Sequence, residues 1–420
     1  MPVICMPNCA FLSETSRMIA VYQKLVEIGT PVIMATHGGT YEFALIQEGI
    51  PYQRIEPFMT EEECRRHVAA IIQVKEGYEK KSALQHVKAE IAFFNEQNAS
   101  AVITGFTLTT GFSARSAGIP LVVTHLGSYV PPIIEARLFT CAEYFDSFFT
   151  SLIPDAWITR LSLWLYTHFI LHSKTSNFVA DSLHIERVRS LDDALMGDLT
   201  LITDVPEILT IAEEVMEAWR PKNAKLFRPT ARLKYAGAIY AKLPGDVPDR
   251  VLAFLHTDLP KIYVAMTSGY PEDLELVYKT LENMDVRVVV CATVHKGALG
   301  NAKNILVADF LPSHLVMPLC DLAISYGGQG TIQTAIAAGI PVIGFPLQPE
   351  QNFNLKQVER HGAGLCLSRR SLRRGLLAHA ICQVLARGSF RESAQRLQKW
   401  QSSRDGPLEV AKIVSALITK

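Results

Sequence analysis

The residues best suited to chemistry form one short run, Ser325-Tyr326-Gly327-Gly328-Gln329-Gly330-Thr331. It follows the apolar stretch Leu322–Ile324 and opens a helical pattern that stops at Gly339. Glycines at such a turn let the backbone approach a ligand closely. The unbonded N–H groups of the next helical turn, aided by the helix dipole, favour an anion and above all a phosphate. Thr331 adds a hydroxyl donor. Taken alone, the run is equally compatible with a plain tight turn. It is not a dinucleotide fingerprint, which needs Gly-x-Gly-x-x-Gly after the first strand and an acidic residue about 20 residues later. No Gly-Lys-Ser/Thr follows, so a P-loop is excluded.

A second group lies downstream. Ala338-Gly339-Ile340-Pro341 leads into the apolar run Val342–Phe345, and Pro346 then opens a loop that carries Glu350, Gln351 and Asn354. A carboxylate accepts two hydrogen bonds side by side, and a carboxamide both donates and accepts. Such a pair at the carboxyl end of a strand suits vicinal hydroxyls, and that edge is where ligands bind in parallel α/β sheets.

The surrounding elements fit this placement. Short apolar runs alternate with amphipathic stretches, the pattern of parallel sheets covered by helices. In the first half, strands are expected at Val3–Met6, Val32–Thr36, Ala101–Thr104 and Leu121–Thr124, with a helix over Ser16–Ile28. The second half repeats the scheme. Strands are expected at Ile262–Met266, Val286–Cys291, Ile305–Val307, Leu322–Ser325 and Val342–Phe345, with helices over Glu272–Met284, Thr331–Ala338 and Asn354–Arg360. Prolines and glycines in Phe227–Arg250 read as a linker. The segment Leu152–His172 is rich in Trp, Tyr, Phe and Leu. It reads either as a core or lid helix or as an apolar surface for a greasy acceptor or a membrane face.

Residues 305–365 resemble the donor-binding signature of family 1 glycosyltransferases, the UDP-glycosyltransferase superfamily with the GT-B fold. The resemblance rests on Phe310-Leu311-Pro312, Tyr326–Thr331, Ala338-Gly339-Ile340-Pro341, Pro346, Glu350-Gln351 and Asn354, in the family's order and spacing. It implies two Rossmann-like, doubly wound parallel-sheet domains facing across a cleft. Residues 1–240 would bind the acceptor and 241–400 the nucleotide-sugar, with 401–420 as a helix crossing back to the first domain. It implies that Leu311 and Pro312 flank the nucleotide base and that Gly327, Gly328, Gly330 and Thr331 hold the diphosphate. Glu350 and Gln351 would bind donor-sugar hydroxyls, and Asn354 would support that loop or the ribose side. Thr267, Ser268 and Gly269 match the family's glycine–hydroxyl loop on the other side of the diphosphate.

Two departures stand out. Tyr326 occupies the place of a family histidine, so a neutral phenol replaces a basic group. The family's catalytic histidine falls at Glu14, and its aspartate partner falls at Gly105. Glu14 is therefore expected either as a carboxylate base or as an acidic first-turn residue beside a Ser13 or Thr15 cap. His37 and His125, each ending an expected strand, are acceptor-side candidates.

Bulk properties narrow the classes further. Among 420 residues, 41 Lys and Arg balance 41 Asp and Glu, so no basic footprint for nucleic acid exists. The eight cysteines form no Cys-x-x-Cys pair, which argues against structural zinc and fits a reducing compartment. The first residues lack the pattern of a secretory signal, and a cytoplasmic location is expected. The expected activity is metal-independent, inverting transfer from a UDP- or dTDP-sugar, used as co-substrate with no further cofactor, to a small or lipophilic acceptor. A sugar-nucleotide epimerase and a non-catalytic relative that binds nucleotide-sugar or a partner enzyme are the alternatives.

Overall fold

The computed structural model describes residues 1–73, 77–138, 154, 157, 160–161, 164, 174–242, 245–266, 269–291, 300 and 302–418. The first sheet contains β1 Val3–Met6, β2 Val32–Thr36, β3 Tyr52–Arg54, β4 Ala101–Thr104, β5 Leu121–His125, β6 Leu199–Ile202 and β7 Arg232–Tyr235. Its spatial order is β3-β2-β1-β4-β5-β6-β7, and its pairings are parallel, with Val3 between Val32 and Ala101. The second contains β8 Lys261–Ala265, β9 Arg287–Cys291, β10 Ile305–Ala308, β11 Leu322–Ser325, β12 Val342–Gly344 and β13 Gly364–Cys366. Its order is β10-β9-β8-β11-β12-β13, again parallel. Each order reverses once, between β1 and β4 and between β8 and β11, and the carboxyl ends of strands at such a switch form a crevice for ligands.

The apolar runs form strands because both faces are covered. On β1, Val3 and Cys5 face a core shared with α1 (Leu12–Glu27), through Met18, Val21 and Leu25. Ile4 and Met6 face the opposite core, which holds Phe94 of α2 (Lys80–Glu96) and Ala114 of α3 (Thr110–Ala117). In the second sheet Ile262, Val264, Val288 and Ile324 pack against Leu274, Val277 and Leu281 of α4 (Pro271–Leu281). The chain divides into two compact units. Unit 1 comprises Met1–Ile133, Leu165–Ala241 and Arg404–Lys420, and unit 2 comprises Ile134–Trp164 and Lys242–Ser403.

Two doubly wound parallel sheets are what the alternation predicted. Several elements differ from expectation. The linker Phe227–Arg250 contains β7, whose mixed sequence Arg-Leu-Lys-Tyr buries only alternate residues. Strands β3, β6 and β13 are three or four residues long and carry weak apolar signals. Helix α1 begins at Leu12 rather than Ser16. In its polar start the Thr15 and Ser16 hydroxyls fold back onto the carbonyls of Phe11 and Leu12, at 3.0 and 2.7 Å. No helix among the described residues is long and apolar enough to cross a membrane. Within 152–172, the described residues Trp157, Leu161 and Trp164 are 72%, 58% and 55% exposed. Their spacing puts them on one helix face. The rest of that segment lies outside the described residues.

Candidate functional site

In unit 2 the glycine run joins β11 to α5 (Gln329–Ala338), with Gly328 as the cap residue. Gly327 has φ +93°, and a Cβ there would meet the Leu355 side chain at 2.6 Å and the Gln351 carbonyl at 2.8 Å. Only glycine fits that position. Gly328 and Gly330 differ: a Cβ on either would meet nothing within 4 Å. Their backbone faces open space. The first-turn amides of Gly330 and Thr331 have no partner inside a helix. Among the described residues none accepts from them, and the Thr331 hydroxyl is likewise uncommitted. Open first-turn amides of this kind are the groups that an anion at a helix N-terminus uses.

The acid–amide loop braces that turn. Glu350 lies in the first turn of α6 (Pro349–Arg360), and its Oε1 accepts from the Gln329 amide at 3.0 Å and from Asn354 Nδ2 at 2.6 Å. Asn354 Nδ2 also donates to the Gly327 carbonyl at 3.0 Å. Gln351 accepts the Leu347 amide at 2.8 Å through Oε1, which leaves its NH2 without a partner among the described residues. Asn354 thus ties α6 to the glycine turn. Glu350 holds the glycine turn and α5 in place through the same oxygen.

Tyr326 points away from the open amides. Its ring covers Gly269, where a Cβ would lie 2.3 Å from ring carbons, and its hydroxyl donates to the Tyr270 carbonyl at 3.4 Å. Burial pushes the phenol's pKa up, so it stays neutral. Arg369 sits over the Tyr270 ring at 4.1 Å and binds Asp273 through two hydrogen bonds of 2.7 and 2.8 Å. Nothing in the sequence pattern pointed to Arg369, because its partners lie about a hundred positions away. Leu311 is buried, and Pro312 precedes the short helix Ser313–Val316. Thr267 and Ser268 lie outside the described residues.

Unit 1 carries the other candidates, at the carboxyl ends of β1, β2, β4 and β5. Glu14 is buried in the first turn of α1. Its Oε1 takes Arg17 Nη1 at 2.9 Å, and its Oε2 takes the Phe106 amide at 2.7 Å. A Cβ on Gly105 would lie 1.6 Å from Glu14 Oε2, so the carboxylate fills the space that a residue-105 side chain would need. Both carboxylate oxygens are thus engaged within unit 1. Neither Ser13 nor Thr15 caps α1, since its cap residue is Phe11 with no side-chain bond. That correction leaves Glu14 as a bracing acid that joins α1 to the loop after β4.

His37 follows β2 and His125 ends β5, in different electrostatic settings. The His37 Nδ1 lies 2.9 Å from the Ile55 carbonyl and 3.0 Å from the Pro57 carbonyl, and Nε2 lies 3.2 Å from Glu90 Oε1. Burial opposes its charge, but Glu90 and the two carbonyls outweigh that and raise its pKa. Among the described residues His125 has one ring bond, from Nδ1 to the Leu126 carbonyl at 2.7 Å. Burial, with Arg17 nearby, lowers its pKa to about 4. With Nδ1 donating, Nε2 carries a free lone pair.

The chain is similar to several known proteins. The family model described as "Erythromycin biosynthesis protein CIII-like, C-terminal domain" matches residues 275–417. A "PGL/p-HBAD biosynthesis glycosyltransferase" of Mycobacterium tuberculosis (strain ATCC 25177 / H37Ra) is 29% identical over 327 residues, covering 76% of this chain and 71% of the relative. A "PGL/p-HBAD biosynthesis rhamnosyltransferase" of Mycobacterium bovis (strain BCG / Pasteur 1173P2) is 28% identical over 331 residues, covering 76% and 68%. The crystal structure of glycosyltransferase VinC in complex with dTDP has a TM-score of 0.68 at 17% identity, over 100% of both chains.

Proposed function

We propose that this chain, a glycosyltransferase of the UDP-glycosyltransferase superfamily with the GT-B fold, moves a sugar from a UDP- or dTDP-sugar to a hydroxyl of a small hydrophobic acceptor, a natural product or lipid, with inversion and without a metal ion. Unit 2 holds the donor and unit 1 the acceptor. The observation that carries this reading is the open N-terminus of α5, where the Gly330 and Thr331 amides and the Thr331 hydroxyl have no partner among the described residues. VinC, which shares this fold, is in complex with dTDP, and that supports a nucleoside diphosphate as the ligand.

In the reaction, the acceptor oxygen bonds to the sugar's anomeric carbon as the bond to the diphosphate oxygen breaks. The open amides offset the charge that grows on the leaving diphosphate, and they are already oriented, so no reorganisation is needed. The acceptor proton goes to His125 Nε2, the uncommitted ring nitrogen at this edge of unit 1. Glu14 as proton acceptor is the second reading, favoured by its place at the family's catalytic position. Gln351, through its free NH2, and Glu350 attend the donor sugar. The exposed Trp157, Leu161 and Trp164 support a lipophilic acceptor or a peripheral membrane contact, for which co-sedimentation of the wild type with liposomes, lost on Trp157→Ser/Trp164→Ser, is the check.

Melting in the presence of UDP, dTDP, GDP or NAD tests the donor reading. A ligand at a hundred times its dissociation constant adds about 2.7 kcal/mol. A shift with UDP or dTDP and none with NAD is expected, and no shift with any of the four sinks the reading. Among variants that keep the nucleotide shift, His125→Gln is expected to abolish turnover. If Glu14→Gln abolishes it and His125→Gln does not, Glu14 is the base.

A further inference from the structure

The buried charges of unit 1 include a pair that the transfer reaction leaves unused. Glu90, on α2, is 0% exposed. Its Oε1 takes the Thr109 hydroxyl at 2.5 Å and His37 Nε2 at 3.2 Å, while Oε2 has no partner among the described residues. An unpartnered, fully buried carboxylate oxygen is costly unless something else bonds to it.

A cavity of about 20 Å³ lies against Glu90 at the carboxyl ends of β1, β2 and β4, bordered also by Asn8, His37, Tyr78, Thr107 and Thr110. That is room for one water-sized group and no more. Asn8 commits its Oδ1 to the Ala10 amide at 3.1 Å, and among the described residues its NH2 has no partner. Glu90 and Asn8 thus border one cavity, the first with an unpartnered acceptor atom and the second with an unpartnered donor among the described residues.

The charge balance selects the group. Carbonyls only accept, so the two that face His37 Nδ1 require a proton there, and Glu90 requires one on Nε2. His37 therefore cancels the Glu90 charge, and the cavity favours a neutral hydroxyl over an ammonium. Metal binding is not the reason for the cluster: among the described residues no three His, Cys, Asp or Glu are gathered to hold an ion. Residues 107–110 continue the loop whose Phe106 amide is held by Glu14, so the cavity adjoins the proposed acceptor edge.

We propose that this cavity is a hydroxyl subsite, in which Glu90 Oε2 accepts the hydrogen of a second, non-reacting hydroxyl of the acceptor and the Asn8 NH2 donates to its oxygen. The proposal rests on the reading of unit 1 as the acceptor-binding half. It makes Glu90 a specificity-determining residue for acceptors with two hydroxyls.

Two probe phenols that differ by one oxygen test it, 4-hydroxybenzyl alcohol and 4-methylphenol. Their binding to the wild-type protein is read from the nitrogen NMR signals of the His37 ring, which needs no turnover. The alcohol is expected to bind about tenfold more tightly, as one charge-assisted hydrogen bond allows. Equal affinities overturn the proposal and leave the cavity as a water site. In Glu90→Gln the tenfold preference is expected to shrink towards one, and a preference that survives also overturns it. If that variant does not fold, the wild-type comparison decides alone. Transfer from UDP-glucose or dTDP-rhamnose to either phenol is a separate readout. Should transfer fail while the His37 signals still discriminate, the glycosyl-transfer reading falls and the subsite stands.

Discussion

Adding one methyl group at Gly105 tests whether Glu14 is a brace. In Gly105→Ala the new Cβ would lie 1.6 Å from Glu14 Oε2 and 2.7 Å from its carboxyl carbon, with Arg17 Nη1 at 3.3 Å. Separations that short are impossible, so the carboxylate must swing away. It then gives up the Phe106 amide and the Arg17 contact, and Arg17 is left buried with side-chain exposure of only 6%. Breaking one side of a buried ion pair costs about 3–5 kcal/mol. Glu14→Ala should cost about the same, because it strands the same guanidinium. The double variant removes the clash together with the group it displaces, so adding Gly105→Ala to Glu14→Ala should cost under about 1 kcal/mol. Urea unfolding of the four proteins yields the coupling, expected at about 3 kcal/mol where contacting residues depart from additivity. Additive losses, or a Gly105→Ala loss below about 0.5 kcal/mol, would refute the account of Glu14 as a brace against residue 105.

Gly328→Ala should leave urea unfolding unchanged, since a Cβ there meets nothing within 4 Å and φ −58° suits alanine; yet it should weaken dTDP or UDP protection in a melting assay about tenfold or more. Acid should destabilise the fold between about pH 6.5 and pH 4. His67 and His125 are both pushed by burial to about 4, the unfolded chain binds their protons first, and each contributes up to about 3 kcal/mol. His125→Gln should flatten that limb in pH-dependent urea unfolding. The His37 pair with Glu90 works with the opposite sign: its raised pKa gives stability that is complete below the ordinary histidine range and fades as pH climbs through the raised value.

Much of the second half was legible in the chain because glycine has few reasons to be where it is. Gly327 needs a positive φ, and Gly328 and Gly330 leave open space where a Cβ would stand, so the run 325–331 carried its own geometry. Long apolar strands such as β5 and β9 announced themselves for the same local reason. What stayed hidden depends on distant partners. Asp273 meets Arg369 and His37 meets Glu90 only after the sheets assemble, and no spacing rule links positions 37 and 90. The short strands β3 and β7 owe their existence to the neighbour beside them more than to their own residues. Glu14 was visible as an acid near a helix start. Its commitment to Phe106 became visible only with the loop after β4 in place.

The last stretch of the chain completes the unit that begins at its first residue. Helix α7 (Gly406–Ile418) puts Val410, Ala411 and Val414 into the core shared by α1 and β1. Gly406 lets it enter, because a Cβ there would meet the Ala238 carbonyl at 2.3 Å. Arg404 seals the entry through a two-pronged ion pair with Glu213. On the ribosome this ordering has a cost in time. Everything from Lys242 to Ser403 emerges before α7 does, and at about 5–20 residues per second the apolar flank of α1 stays uncovered for about ten seconds or longer. Unit 2 is continuous from Lys242 to Ser403 apart from its 134–164 segment, so it has most of its chain in hand first. The half made first is the half finished last, and during that interval a chaperone has a definite apolar surface to hold.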